Sequence, residues 1–84
     1  MMIKQKYSTK IMIGKMVEVF KTDVKDKNLS VQLVRKLKKH FPESYINFDL
    51  DDCDHILRVE GENISVQSVI LLMKNFGYRC EVLL

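Results

Sequence analysis

The chain predicts an α+β domain in βαββαβ order, with a four-stranded antiparallel sheet carrying two helices on one face. Three observations predict it: two similar amphipathic helical segments, short apolar runs flanking each of them, and the composition of an ordinary globular chain. The 84 residues are 46% hydrophobic and 30% charged, with three Gly and one Pro, which suits a packed core rather than disorder. A chain of this size forms one domain and buries only about 60 to 65% of its unfolded surface. A deep catalytic cavity is not expected.

The helices come from an internal repeat. Residues 28–41 align without gaps to residues 63–76, and eight of the fourteen positions are identical. Both copies open with Asn and Ser, whose side chains accept hydrogen bonds from the free N–H groups of a first helical turn. In the first copy Leu29, Leu33, Leu37 and Phe41 recur at helical spacing with Val34 beside them, and Pro42 stops the helix. In the second, Val66, Val69, Leu72, Met73 and Phe76 form the stripe, and Gly77 supplies a left-handed cap.

Four short runs read as strands: Val17 to Thr22, Tyr45 to Leu50, Cys53 to Glu60 and Arg79 to Leu84. Asp51 and Asp52 separate the middle two and read as a tight hairpin. Each helix then serves as a crossover between strands. Alternation directs Val17, Val19, Ile46, Phe48, Leu50, His55, Leu57, Val59, Val82 and Leu84 toward the helices. Glu18, Phe20, Asn47, Asp54, Ile56, Arg58 and Glu81 are directed away. Residues 1–14 stand outside both halves and are expected to form a loosely held arm on a domain spanning 15–84, of which Met16 would be a sensible start.

The 14 basic and 11 acidic residues are interleaved and leave a net charge of +3, a pattern of solubility rather than of nucleic-acid binding. No run resembles a secretory signal or a membrane span. Cys53 and Cys80 are too few for a disulfide scaffold, and both are expected to pack as small, reduced hydrophobes in a cytoplasmic protein.

From Val17 to Leu84 the order of strand, loop, helix ending at Pro42, hairpin, second helix and the Gly77-Tyr78 pair resembles the heavy-metal-associated family. The resemblance implies a ferredoxin-like fold. In that family a Cys-x-x-Cys pair between the first loop and the first helix holds soft cations through thiolates, and the matching positions here are Asp26 and Leu29. A leucine cannot ligate and a lone carboxylate is poor for soft metals, so neither the thiolate site nor a cofactor is expected. A weaker metal set lies at the hairpin, where Asp49, Asp51, Asp52, Cys53, Asp54 and His55 offer oxygen, sulfur and nitrogen donors. Asp51, Cys53 and His55 are the candidates, with Asp23 and Asp26 in neighbouring loops. Acidic residues also favour turns on their own account.

Enzyme activity is not expected. Neither His40 nor His55 is placed beside a nucleophile, there is no Gly-rich phosphate loop, and the first loop lacks the arginine and glycines of an acylphosphatase-like site. For RNA stacking, Phe20, with Ile56 across the sheet, is the one aromatic of the two central strands directed to the open face, so nucleic-acid binding is not expected. The basic run Arg35 to His40 reads as a solvated helix face.

The repeat supplies the strongest functional signal. Positions held by Arg35, Lys36 and Lys38 in the first helix hold Ile70, Leu71 and Met73 in the second. At least one of Ile70 and Leu71 is expected to face solvent unless the N-terminal arm or the tilt of the helix buries them, and an apolar outer face of this kind points to a protein partner or a homodimer. Ile70 and Leu71 are the candidates there, with Met16, Phe20, Ile56 and Leu83 as a second apolar strip on the open sheet face. The expected function is that of a non-enzymatic interaction domain.

Overall fold

A computed structural model describes residues 15–83. The arm expected over residues 1–14 and the inward placement of Leu84 lie outside the described residues. The elements are β1 (Lys15–Thr22), α1 (Lys27–His40), β2 (Tyr45–Asp49), β3 (Ile56–Glu62), α2 (Val66–Asn75) and β4 (Cys80–Val82). The four strands pair antiparallel in the order β2-β3-β1-β4. α1 therefore carries the chain from β1 over β3 to β2, and α2 carries it from β3 over β1 to β4. This is the ferredoxin-like βαββαβ arrangement.

The core lies between the sheet and both helices. Leu33 and Leu37 from α1 and Val69 and Met73 from α2 pack with Phe20, Ile46, Leu57 and Val59 from the strands. Val24, from the loop after β1, is fully buried in the same cluster.

β1 faces the helices in the register opposite to the expected one. Phe20 lies directly across from Leu57 and Val82, and Leu57 lies across from Phe48; residues opposite one another share a face. Phe20 and Leu57 are fully buried, whereas Val17 is 53% exposed. The strand carries apolar residues on both faces, so alternation alone left the choice open. Turning the large Phe20 ring inward leaves two small β-branched valines on the open side. Thr22, on the inner face, is buried with its hydroxyl satisfied: Oγ1 donates to the His55 carbonyl at 2.6 Å and accepts from the Val24 N–H at 3.2 Å.

The two copies of the repeat start differently. α1 begins earlier than its Asn28-Leu29-Ser30 segment suggests, because Asp26 caps it, accepting from the Asn28 N–H at 2.7 Å. Ser30 is buried within the first turn, its hydroxyl donating to the Lys27 carbonyl. In α2 the equivalent Ser65 is the cap, accepting from the Ser68 N–H, and Asn63 turns through a positive φ of 55° before it. The C-terminal ends agree with expectation. Gly77 has a φ of 95°, with Tyr78 N–H donating to the Met73 carbonyl and Gly77 N–H to the Lys74 carbonyl, the paired bonds of a Schellman cap.

The connection between β2 and β3 is longer than a tight hairpin, running from Leu50 to His55. Aspartates set its course. The Asp51 N–H donates to Asp49 Oδ1, the Asp54 N–H donates to Asp52 Oδ1, and the His55 N–H donates to the Asp52 carbonyl. His55 closes the turn at a φ of 48°, so it precedes β3 and does not point inward from it.

Candidate functional site

The outer surface of α2 is built as the repeat predicts for one residue of the pair. Leu71 is 58% exposed, whereas Ile70 is half-buried and packs against the core. Beside Leu71 runs a groove of about 360 Å³ between the helices, lined by His40 and Phe41 of α1's end and by Ser68, Leu71, Leu72 and Asn75 of α2. One helical turn before His40, Lys36 places its Nζ 5.1 Å from the centroid of the Phe76 ring. Lys38 turns the other way, its Nζ donating to the Ser44 carbonyl at 2.6 Å. Leu72 and Phe41 belong to the groove but were read only as core stripe, because helical period alone cannot tell a buried position from a half-open seam.

The second apolar strip is corrected. Phe20 lies in the core at 0% exposure and Ile56 is 6% exposed, so neither offers a contact surface. Met16 shares the inner face with Phe20. Ile56 is on the open side but shielded, and it stands apart from the core cluster. The exposed apolar residues of the open face are Val17, Tyr45 and Leu83. Tyr45 and Val17 both pair with Glu60, which places all three in one row. With Phe20 turned inward, the two central strands present no aromatic on that face, and Tyr45 lies on the edge strand β2.

The metal set is also rearranged. Donor atoms of Asp52, Cys53 and Asp54 all lie within 4.8 Å of one another, but Asp51 and His55 are outside this group. Asp51 follows an Asx turn on Asp49, and the positive φ at His55 turns the chain into β3. Cys53 is exposed in the turn rather than packed as a hydrophobe. Lys21 Nζ is 3.8 Å from an Asp54 oxygen, and Asp52 already accepts the Asp54 N–H. Asp23 and Asp26 are engaged elsewhere: Asp23 accepts the Arg79 N–H at 2.9 Å, and Asp26 caps α1. Leu29 is 38% exposed and has no ligand atom.

Cys80 does pack as expected. It is 8% exposed in the core cluster, and burial, assisted by the negative charge of Glu81, pushes its thiol from 9.0 up to about 12. A buried thiol kept protonated in this way is a poor nucleophile at neutral pH.

A further cleft, of about 520 Å³, lies where the start of α1 meets the end of β2. Its cations Lys25, Lys27 and Arg58 alternate with Asp49 and Asp51, so it presents no field of one sign. Asn47 Oδ1 is buried there without a hydrogen-bond partner among the described residues. Among the described residues no helix is long and apolar enough to cross a membrane.

Fold and surface together define a small α+β domain of ferredoxin-like architecture with an open apolar seam on its helical layer. The chain matches no family model, no curated protein and no solved structure.

Proposed function

We propose that this is a non-enzymatic interaction domain, related in pattern to heavy-metal-associated domains but working through its helical layer instead of a thiolate pair. The observation that carries the reading is the exposure of Leu71 beside the groove floored by Leu72 and Phe41. An apolar side chain exposed to water gains about 25 cal/mol for each Å² that a partner covers. The two positions matching the family's sulfurs hold a helix cap and a leucine. The test is capture from a native lysate by the full chain, compared with Leu71→Lys. A captured protein that is lost on this substitution supports the reading. Identical capture by both, together with unchanged solution mass, sinks it.

A second reading is favoured by the Asp52, Cys53 and Asp54 donors, which could hold a zinc ion through two carboxylates and one thiolate. Titrating the reduced protein with zinc, with Cys53→Ser alongside, decides it. Micromolar binding lost in the variant supports a metal site, and no heat or shift change at that concentration removes it.

A further inference from the structure

Charges that alternate along the chain are segregated in space. α1 and α2 contain Lys27, Arg35, Lys36, Lys38, Lys39 and Lys74 but no Asp or Glu. All 11 acidic residues of the chain lie in strands and loops. The two helices themselves therefore carry charge of one sign, while the Asp26 carboxylate caps the N-terminal end of α1.

The apolar seam runs through the middle of this cationic layer. Lys36 and His40 stand on the α1 wall, and Lys39 lies three residues beyond Lys36 on the exposed side of the same helix. Leu71 and Leu72 form the centre. The α2 wall is Ser68 and Asn75, whereas Lys74 stands with Ile70 and Arg79 on the β4 side of that helix. Lys38 is withdrawn by its bond to Ser44, so it does not contribute. A cleft between two packed helices with an apolar floor and a cationic α1 rim is complementary to an amphipathic helix with leucine-type residues on one side and carboxylates along one flank.

Resting on the reading of the chain as an interaction domain, we infer that the α1/α2 groove receives an acidic amphipathic helix of a protein partner. Its apolar side covers Leu71, Leu72 and Phe41, and its carboxylates meet Lys36 and Lys39. Nucleic acid satisfies the cations but not the floor, because phosphates have no use for an exposed leucine at the centre of the patch.

The probe is a fluorescein-labelled synthetic helix of roughly four turns with Leu at i, i+3, i+4 and i+7 and Glu along one flank. A control peptide carries Lys in place of every Glu, and a DNA duplex is the third ligand. Each is titrated against the full chain by fluorescence anisotropy, with backbone amide shifts recorded at saturation. The expected result is binding of the Glu peptide alone, with shifts at Ser68, Leu71 and Asn75. Leu71→Lys weakens it about tenfold or more, equivalent to about 1.4 kcal/mol. Leu71→Met retains binding, and Lys36→Glu with Lys39→Glu weakens it and flattens its salt dependence.

The inference is overturned by equal binding of the Lys peptide, by preference for the duplex, or by no binding of the Glu peptide. Shifts confined to Val17, Tyr45 and Leu83 also overturn it, yet they leave the interaction-domain reading standing on the open sheet face. Because Leu71 is exposed, its variants keep the fold, which far-ultraviolet circular dichroism checks.

Discussion

Lys36 on α1 sits over the ring of Phe76 at the end of α2, 5.1 Å from its centroid. The contact ties the two helices together at the rim of the groove, and the aliphatic stem of the lysine covers ring surface that the core leaves half-buried. A cation over an aromatic face at an exposed site contributes about 0.5 to 1 kcal/mol. Lys36→Ala and Phe76→Leu, taken singly and together through urea unfolding, should show a coupling of that size. Additive single effects would show that the contact contributes no energy.

Phe20 supplies a larger stability prediction, because its inward orientation defines the register of β1. Phe20→Ala should cost about 3 to 5 kcal/mol, the range for a phenylalanine removed from a packed core. Val17→Ala, on the open face, should stay within about 0.5 kcal/mol. Urea midpoints of the two variants separate the structures: a large loss at Val17 with a small one at Phe20 would restore the register expected from alternation.

These residues also show what was legible in the sequence. The element order, the helix stripes and the Gly77 cap follow from local periodicity and backbone chemistry, and they were readable. The faces of β1 were not, since Met16, Val17, Val19 and Phe20 put apolar atoms on both sides and only pairing with Leu57 decides between them. At the hairpin the aspartates were visible as donors. The Asx turns that use Asp49 and Asp52 as backbone acceptors determine which donors meet, and they bring Asp52 and Asp54 to Cys53 in place of Asp51 and His55. The bare cationic character of the helices was present in the sequence as two segments without an acid, and it was masked by averaging charge along the whole chain.

Thr22 joins the end of β1 to the hairpin. Its hydroxyl donates to the His55 carbonyl and accepts from Val24 N–H in a buried setting. Thr22→Val keeps the shape but strands both partners, and a buried polar group left unpaired costs about 1 to 3 kcal/mol. Thr22→Ser should recover most of the loss in thermal unfolding. If valine and serine behave alike, the hydroxyl carries no weight.

Gly61 on β3 leaves little room for a side chain. A Cβ there would stand 3.0 Å from Ser44 Oγ and 3.3 Å from the Ser44 Cα, a backbone atom beside a buried residue. Gly61→Ala should therefore destabilise by about 1 to 3 kcal/mol through overpacking. Pairing it with Ser44→Gly should recover part of the cost by removing the hydroxyl, and urea midpoints of the single and double variants measure this. No recovery would place the strain on the backbone alone.

The two cysteines should differ in reactivity and in their effect on stability. Cys53 is exposed, while burial first and the charge of Glu81 second push the Cys80 thiol from 9.0 to about 12. A thiol reagent should modify Cys53 in the native protein and reach Cys80 only after denaturant is added. Because the folded state holds the Cys80 proton more tightly than the unfolded chain, its contribution to stability is complete below pH 9.0 and is lost as pH rises toward 12. The stability difference between the native protein and Cys80→Ala should therefore narrow as the pH rises from 9.0 toward about 12. A difference independent of pH across that interval would mean that Cys80 ionises as readily in the folded domain as in the unfolded chain.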